Sequence, residues 1–168
     1  MLSVRAPSLV TPSVVIPPTA VRSSVPAPAM DSHVSPSALT CFLVEDNDVI
    51  RENLVATLEE MVDLRVLGHA VDEDGALSWM SEESSPCDLL IIDIFLSQGT
   101  GLNVLQAATA RMPSARRIIL SNYATPDMRQ RCMALGAHRV FDKSAELEDL
   151  LAYCQCLAER QDPDAAPQ

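Results

Sequence analysis

Residues 88–93 read DLLIID, four consecutive large aliphatic residues closed by a carboxylate, Asp93. Successive side chains of a strand point to opposite faces, so a run this apolar is covered on both faces. Residues 116–121, RRIILS, follow the same pattern and end in Ser121. Two such runs mark the interior of a parallel sheet. A carboxylate set at the end of one of them requires compensating partners, because burying an unpaired charge is costly.

Outward from these runs the chain alternates regularly. TCFLVED (40–46), LRVLGHA (64–70) and HRVFD (138–142) supply three further strands. The helices are NDVIRENLVATLEEMV (47–62), EDGALSWMSEE (73–83), GLNVLQAATAR (101–111), TPDMRQRCMALG (125–136) and AELEDLLAYCQCLAE (145–159). In the first helix Ile50, Leu54, Leu58 and Met61 fall near one face, and Asn47 stands as its N-cap. In the fourth, Thr125 caps, Pro126 takes the first helical position and Gly136 lies just past the end. Leu147, Leu150, Leu151 and Cys154 share one face of the last helix, and Trp79, the only tryptophan, is expected in the core. Five strands alternating with five helices through short links predict an α/β fold, a five-stranded parallel sheet with helices on both faces.

The 168 residues amount to about one domain. A net charge of −11 argues against a nucleic-acid surface, since phosphate contacts need clustered Lys and Arg. No apolar run approaches the length of a membrane span. The five cysteines form no CxxC pair and no zinc-finger spacing, so they read as small hydrophobes of a reducing cytoplasm. Residues 1–38, rich in Pro, Ser, Val and Ala, are expected to be a disordered extension; prolines 7, 12, 17 and 18 spoil any signal peptide, and Met30 is an alternative start. The globular domain is expected over 39–161, with a disordered tail over 162–168. A chain running out in QDPDAAPQ is expected to carry no output domain behind it.

Ligands of open α/β sheets bind outside the carboxyl ends of the strands. There the strands deliver Glu45 and Asp46, Asp93, Ser121 and Lys143, and the second strand only His69 and Ala70. Three neighbouring carboxylates repel one another, and a hard divalent cation, Mg²⁺, relieves that repulsion through oxygen ligands. A carboxylate beside it can attack a phosphoryl group, while a lysine and a hydroxyl bind the remaining oxygens. Lys143 is the only lysine of the chain, at the position where a compact ammonium suits better than a planar guanidinium. His138 begins the fifth strand, at the opposite end of the sheet, and His33 lies in the extension.

VEDN, DIFLSQGTGL, LSNYATP and FDKSAEL, in this order and on these elements, resemble the receiver domain of two-component response regulators, in particular stand-alone receivers. The resemblance covers residues 40 to about 160 and implies the flavodoxin-like (βα)5 fold. It implies that Asp93 is the phospho-acceptor, with Ser121 and Lys143 on the phosphoryl oxygens. Mg²⁺ would be held by Asp46, Asp93 and the backbone carbonyl of Phe95, with Glu45 acting through water. A sensor histidine kinase or phosphotransfer protein would be the donor, and a separate protein the downstream partner. Partner binding, or homodimerisation, is expected on the fourth helix, fifth strand and fifth helix, with Arg129 and Glu148 as exposed probes. The implied protein is a cytoplasmic signalling domain acting on its own aspartate rather than a turnover enzyme. A phosphatase or phosphotransferase with an aspartyl nucleophile usually has a second Asp two residues on, where this chain has Phe95.

Departures from the family pattern are specific. Ser97 and Ser144 stand where prolines are common, so no cis bond is expected after Lys143. Val140 stands where a switch aromatic is usual, with Phe141 next to it on the opposite strand face, so the candidates for the switch are Ser121, Val140 and Phe141. Asn122 is bulkier than the residue usual there, and Phe95 and Tyr123 flank the pocket, where they would shield an acyl phosphate. The alternative function is a receiver-like interaction module that is never phosphorylated.

Overall fold

The computed structural model describes residues 38–82 and 87–164; nearly all of the expected N-terminal extension, and residues 165–168 of the expected tail, lie outside them. The elements are β1 (Leu39–Val44), α1 (Asp48–Met61), β2 (Leu64–Ala70), α2 (Glu73–Trp79), β3 (Leu89–Ile92), α3 (Gly101–Arg111), β4 (Arg116–Ser121), α4 (Pro126–Ala134), β5 (Arg139–Asp142) and α5 (Leu147–Ala158). Every strand pairing is parallel, in the order β2-β1-β3-β4-β5. The fold is flavodoxin-like.

Helix starts follow their local chemistry. Asn47 Oδ1 accepts from the Ile50 amide at 3.0 Å, Asp72 Oδ1 from Gly75 at 2.7 Å and Thr125 Oγ1 from Met128 at 3.3 Å, each satisfying an orphan donor of the first turn. The second helix ends at Trp79, and residue 83, the expected end, lies outside the described residues.

Alternation along the strands divides the core into two layers. Phe42, Val44, Leu90, Ile92, Ile119 and Val140 pack with α2, α3 and α4. Cys41, Leu43, Leu89, Ile91, Ile118, Leu120 and Phe141 pack with α1 and α5. Burying each large aliphatic side chain stabilises the fold by about 1.5–3 kcal/mol, so β3, fully buried, anchors both layers. Val140 and Phe141 therefore face opposite layers, and the Phe141 ring meets Tyr153 edge-on at 5.9 Å. Trp79, expected inside, is half-buried and stacks on Phe42 at 3.7 Å.

Two positions of the expected apolar faces are corrected. Met61, the last residue of α1, is 64% exposed, because the chain turns there and Val62 takes the buried place. Leu147, opening α5, is also exposed. At the other end of the chain, Asp162 and Asp164 pair with Arg116 at 2.7 and 2.8 Å, and Asp164 also holds Arg139 at 2.8 Å and the Tyr153 hydroxyl at 2.8 Å. The first residues of the expected tail are thus tied to the start of β4 and β5.

Candidate functional site

β1 lies between β2 and β3, so the strand order reverses there and a crevice opens at the carboxyl edge. Val44 is paired with Ile92, and the ladder continues past it: the Asp93 amide donates to the Val44 carbonyl at 2.9 Å. On the other side the Lys143 amide donates to the Ser121 carbonyl at 3.2 Å. Register thus brings Glu45 beside Asp93 and sets Ser121 opposite Asp142, the residue before Lys143. Behind them the loop after β3 folds back so tightly that a Cβ on Gly101 would stand 1.9 Å from the Asp93 carbonyl oxygen. Only glycine fits there.

Lys143 Nζ donates to Asp93 Oδ2 at 2.8 Å and to Glu45 Oε2 at 2.5 Å, with all three side chains nearly sealed from solvent. Burial pulls the Lys143 pKa down, but the hydrogen bonds and charges of Asp93 and Glu45 outweigh it and hold the ammonium above its ordinary value. The outer oxygens are held by backbone: Asp93 Oδ1 accepts from Phe95 N at 3.2 Å, Glu45 Oε1 from Asn47 N at 3.2 Å and Asp46 Oδ2 from Ser97 N at 2.9 Å. Ser121 is wholly buried, and its Oγ accepts from the Tyr123 amide at 3.4 Å. These groups open into a cavity of about 190 Å³ lined by Asp46, Asp93, Phe95, Ser121, Tyr123 and Lys143 among others. Phe95 and Tyr123, 50% and 62% exposed, meet edge-on at 5.0 Å at its mouth.

Oxygens of Glu45, Asp46 and Asp93 lie within 4.8 Å of one another. Three carboxylates face one ammonium, which leaves two formal negative charges without a partner. All-oxygen donors with that deficit suit a hard divalent cation such as Mg²⁺. Glu45, expected to reach the ion through water, has one oxygen on Lys143.

His69 sits on the edge strand β2 and does not line the cavity, and His138 accepts from the Arg117 amide at the far end of the sheet. Phe141 points into the α1–α5 layer, away from α4. Arg129, expected as a free surface probe, is instead bonded to Ala124, Val140 and Glu146. No sequence signal foretells this, because the three partners come from separate segments. Arg51 is another unforeseen contact: its Nη1 donates to the Glu45 carbonyl at 3.1 Å.

Fold and site together define an α/β domain with an acidic pocket at the carboxyl edge of a parallel sheet. The response regulator receiver domain model matches residues 41–155, and the chain belongs to that family. Among curated relatives it is 29% identical over 109 residues to an uncharacterised transcriptional regulatory protein, YvfU, of Bacillus subtilis, covering 65% of this chain and 54% of that protein. It is 28% identical over 153 residues to the acid tolerance regulatory protein ActR of Sinorhizobium medicae, covering 88% and 76%. The chain thus spans about half the length of the first relative and three quarters of the second. Its fold matches a response regulator of Burkholderia pseudomallei solved with a phosphorylated aspartic acid, calcium ion and citrate, at TM-score 0.62 and 24% identity over 73% of this chain and 69% of that one. It also matches the response regulator domain of Thermotoga maritima CheB, at TM-score 0.63 and 20% identity over 75% and 99%.

Proposed function

We propose that Asp93 accepts a phosphoryl group from a phosphohistidine donor, a sensor histidine kinase or phosphotransfer protein, and that the acyl phosphate alters binding of a separate partner protein. The observation that carries this is the gathering of Glu45, Asp46, Asp93, Ser121 and Lys143 around one cavity of about 190 Å³. An Asp93 oxygen attacks phosphorus, the P–N bond to the donor imidazole breaks, and the imidazole leaves with its electron pair. Lys143 passes from Asp93 Oδ2 to the phosphoryl oxygens, and the Ser121 hydroxyl donates to another. Asp46, Asp93 and the Phe95 carbonyl would hold Mg²⁺, with Glu45 outside them. When bound there, the ion would supply positive charge to offset that of the incoming phosphoryl group. Phosphorylated aspartate in the Burkholderia pseudomallei neighbour supports the same chemistry here.

The partner is assigned to the face formed by α4, β5 and α5, where a cavity of about 420 Å³ is walled by Arg129, Val140, Glu146 and Tyr153 among others. That face also serves any homodimer. Among the described residues no helix is long and apolar enough to cross a membrane. With its acid excess the domain itself is assigned no nucleic-acid contact. Asp93 is consumed and regenerated on the chain itself, so the role is signalling rather than turnover of a substrate.

Incubation with acetyl phosphate and Mg²⁺, followed by intact mass, tests the proposal. One added phosphate in the wild type and none in Asp93→Asn is the expected result. Val140 and the Asn122 side chain at the pocket favour a second reading, an interaction module that is never phosphorylated. No phosphate on the wild type under those conditions selects it.

A further inference from the structure

Arg129, in the middle of α4, commits all three guanidinium nitrogens, two of them to loops and one to strand β5. Nε donates to the Ala124 carbonyl at 2.9 Å, Nη1 to the Val140 carbonyl, and Nη2 to Glu146 Oε2 at 2.6 Å. Ala124 stands three residues after Ser121, and Glu146 three residues after Lys143. One side chain therefore joins the loop that carries the pocket's hydroxyl to the loop that carries its ammonium. Glu146 is itself fixed, since the same oxygen accepts from the Asp142 amide at 2.7 Å. Asp142 Oδ1 in turn accepts from the amides of Ser144 at 2.8 Å and Ala145 at 3.2 Å, so the ammonium loop is braced on both sides. A planar guanidinium bonded along three directions is a rigid linker, because its bonds weaken steeply with misalignment.

β5 offers no substitute for it. Val140 faces the α4 layer but carries no ring, and the Phe141 ring is wedged against Tyr153 in the opposite layer. The Val140 carbonyl, at the strand position where a ring is lacking, is itself one of the three acceptors.

We propose that Arg129 is a positioning residue that ties the loop after Ser121 to the loop after Lys143, so that phosphoryl capture between those two side chains reaches the α4–β5–α5 face through its guanidinium. The inference rests on Asp93 being the phospho-acceptor. Before phosphorylation Lys143 lies on Asp93 and Glu45. When a phosphoryl group takes Lys143 and Ser121 together, both loops shift toward Asp93. The bonds at Ala124, Val140 and Glu146 then re-form in a new geometry. Arg129 and Glu146 wall the cavity on that face, so its shape follows the shift.

Amide hydrogen exchange of the full chain, with and without beryllofluoride and Mg²⁺, tests the coupling in wild type, Arg129→Gln and Glu146→Gln. Fluorine NMR reports beryllofluoride binding independently. In the wild type, binding slows exchange both in 121–125 and, beyond the loop that Lys143 itself pulls, in 147–153 of α5. In Arg129→Gln, binding persists within about threefold and still slows 121–125, but the response of 147–153 is lost; Glu146→Gln, which weakens one arm, gives an intermediate response. A residue that merely stabilised the fold would speed exchange equally with and without ligand. An unchanged ligand-dependent difference at 147–153 in Arg129→Gln therefore overturns the proposal. If Arg129→Gln does not fold, Arg129→Lys, which keeps charge and stem but not the fork, supports the proposal by losing the same response and overturns it by keeping it. Absence of a bound beryllofluoride signal in the wild type sinks the phospho-acceptor reading itself, an outcome read separately from the exchange data.

Discussion

Asp93 is 7% exposed and Glu45 2% exposed, yet neither lacks a partner, because Lys143 stands between them. Breaking such a pair by removing one member destabilises far more than an exposed pair contributes. Polar compensation recurs at the other end of the sheet. The buried Arg117 guanidinium donates to the carbonyls of Gly136 at 2.9 Å, Met112 at 3.0 Å and Ala115 at 2.8 Å. Beside it, His138 Nδ1 accepts from the Arg117 amide at 3.1 Å, which requires a neutral ring nitrogen. Burial, then the charges of Arg117 and Arg116, push the His138 pKa below its ordinary 6.5. The folded protein thus binds fewer protons than the unfolded chain in that window. Stability from this group is complete above 6.5 and is lost as pH falls through the lower folded value. Thermal melts from about pH 7.5 to about pH 5 should show a larger decline for wild type than for His138→Gln, whose amide cannot titrate there. Parallel declines would refute the assignment.

At the scale of elements, the turn between β3 and α3 is the tightest link to the site. Gly101 opens α3, its amide donates to the Ile94 carbonyl at 2.9 Å, and its missing Cβ admits the Asp93 carbonyl. Gly101→Ala must push the start of α3 away from the end of β3. The expected cost is about 1–3 kcal/mol in urea unfolding, as for other overpacked sites. Displacing the Asp93 backbone should also slow phosphorylation by acetyl phosphate. A variant of wild-type stability and rate would show that the loop yields freely. α5 differs from the other helices in having no side-chain cap at its start. The loop before it is held from outside, by Arg129 on Glu146. That arrangement leaves the loop carrying Lys143 dependent on α4. It is the element-level reason a change at the pocket can be passed sideways rather than absorbed.

The whole molecule carries a net charge of −11, and part of that acid excess converges on one edge of the sheet. A divalent cation that binds there stabilises only the folded state, by about 2.7 kcal/mol at a hundred times its dissociation constant. Mg²⁺ should therefore raise the melting temperature relative to sodium chloride of equal ionic strength, and Asp46→Asn should remove most of the rise. A melting temperature indifferent to Mg²⁺ would falsify the metal assignment. At the opposite edge Asp164 gathers Arg116, Arg139 and the Tyr153 hydroxyl, so the two ends of the sheet are stabilised by different charge patterns. Burial, and then the bond to Asp164, raise the Tyr153 pKa well above its ordinary 10.

What the sequence determined by itself was local and periodic. Strands such as LLII, caps such as Asn47 and Thr125, and acids or a lysine at strand ends are legible because side-chain alternation and helix capping depend on near neighbours. From these the parallel sheet and the five groups at its carboxyl edge followed. The order β2-β1-β3-β4-β5 was decided only by tertiary structure, as were the direct seat of Lys143 on Glu45, the Arg117 carbonyl cage and the Arg129 clasp. Those contacts join residues from separate segments, and no spacing along the chain encodes which of them will meet. Met61 shows the same limit in reverse: its helical period was right, but its burial depended on where the chain turned away.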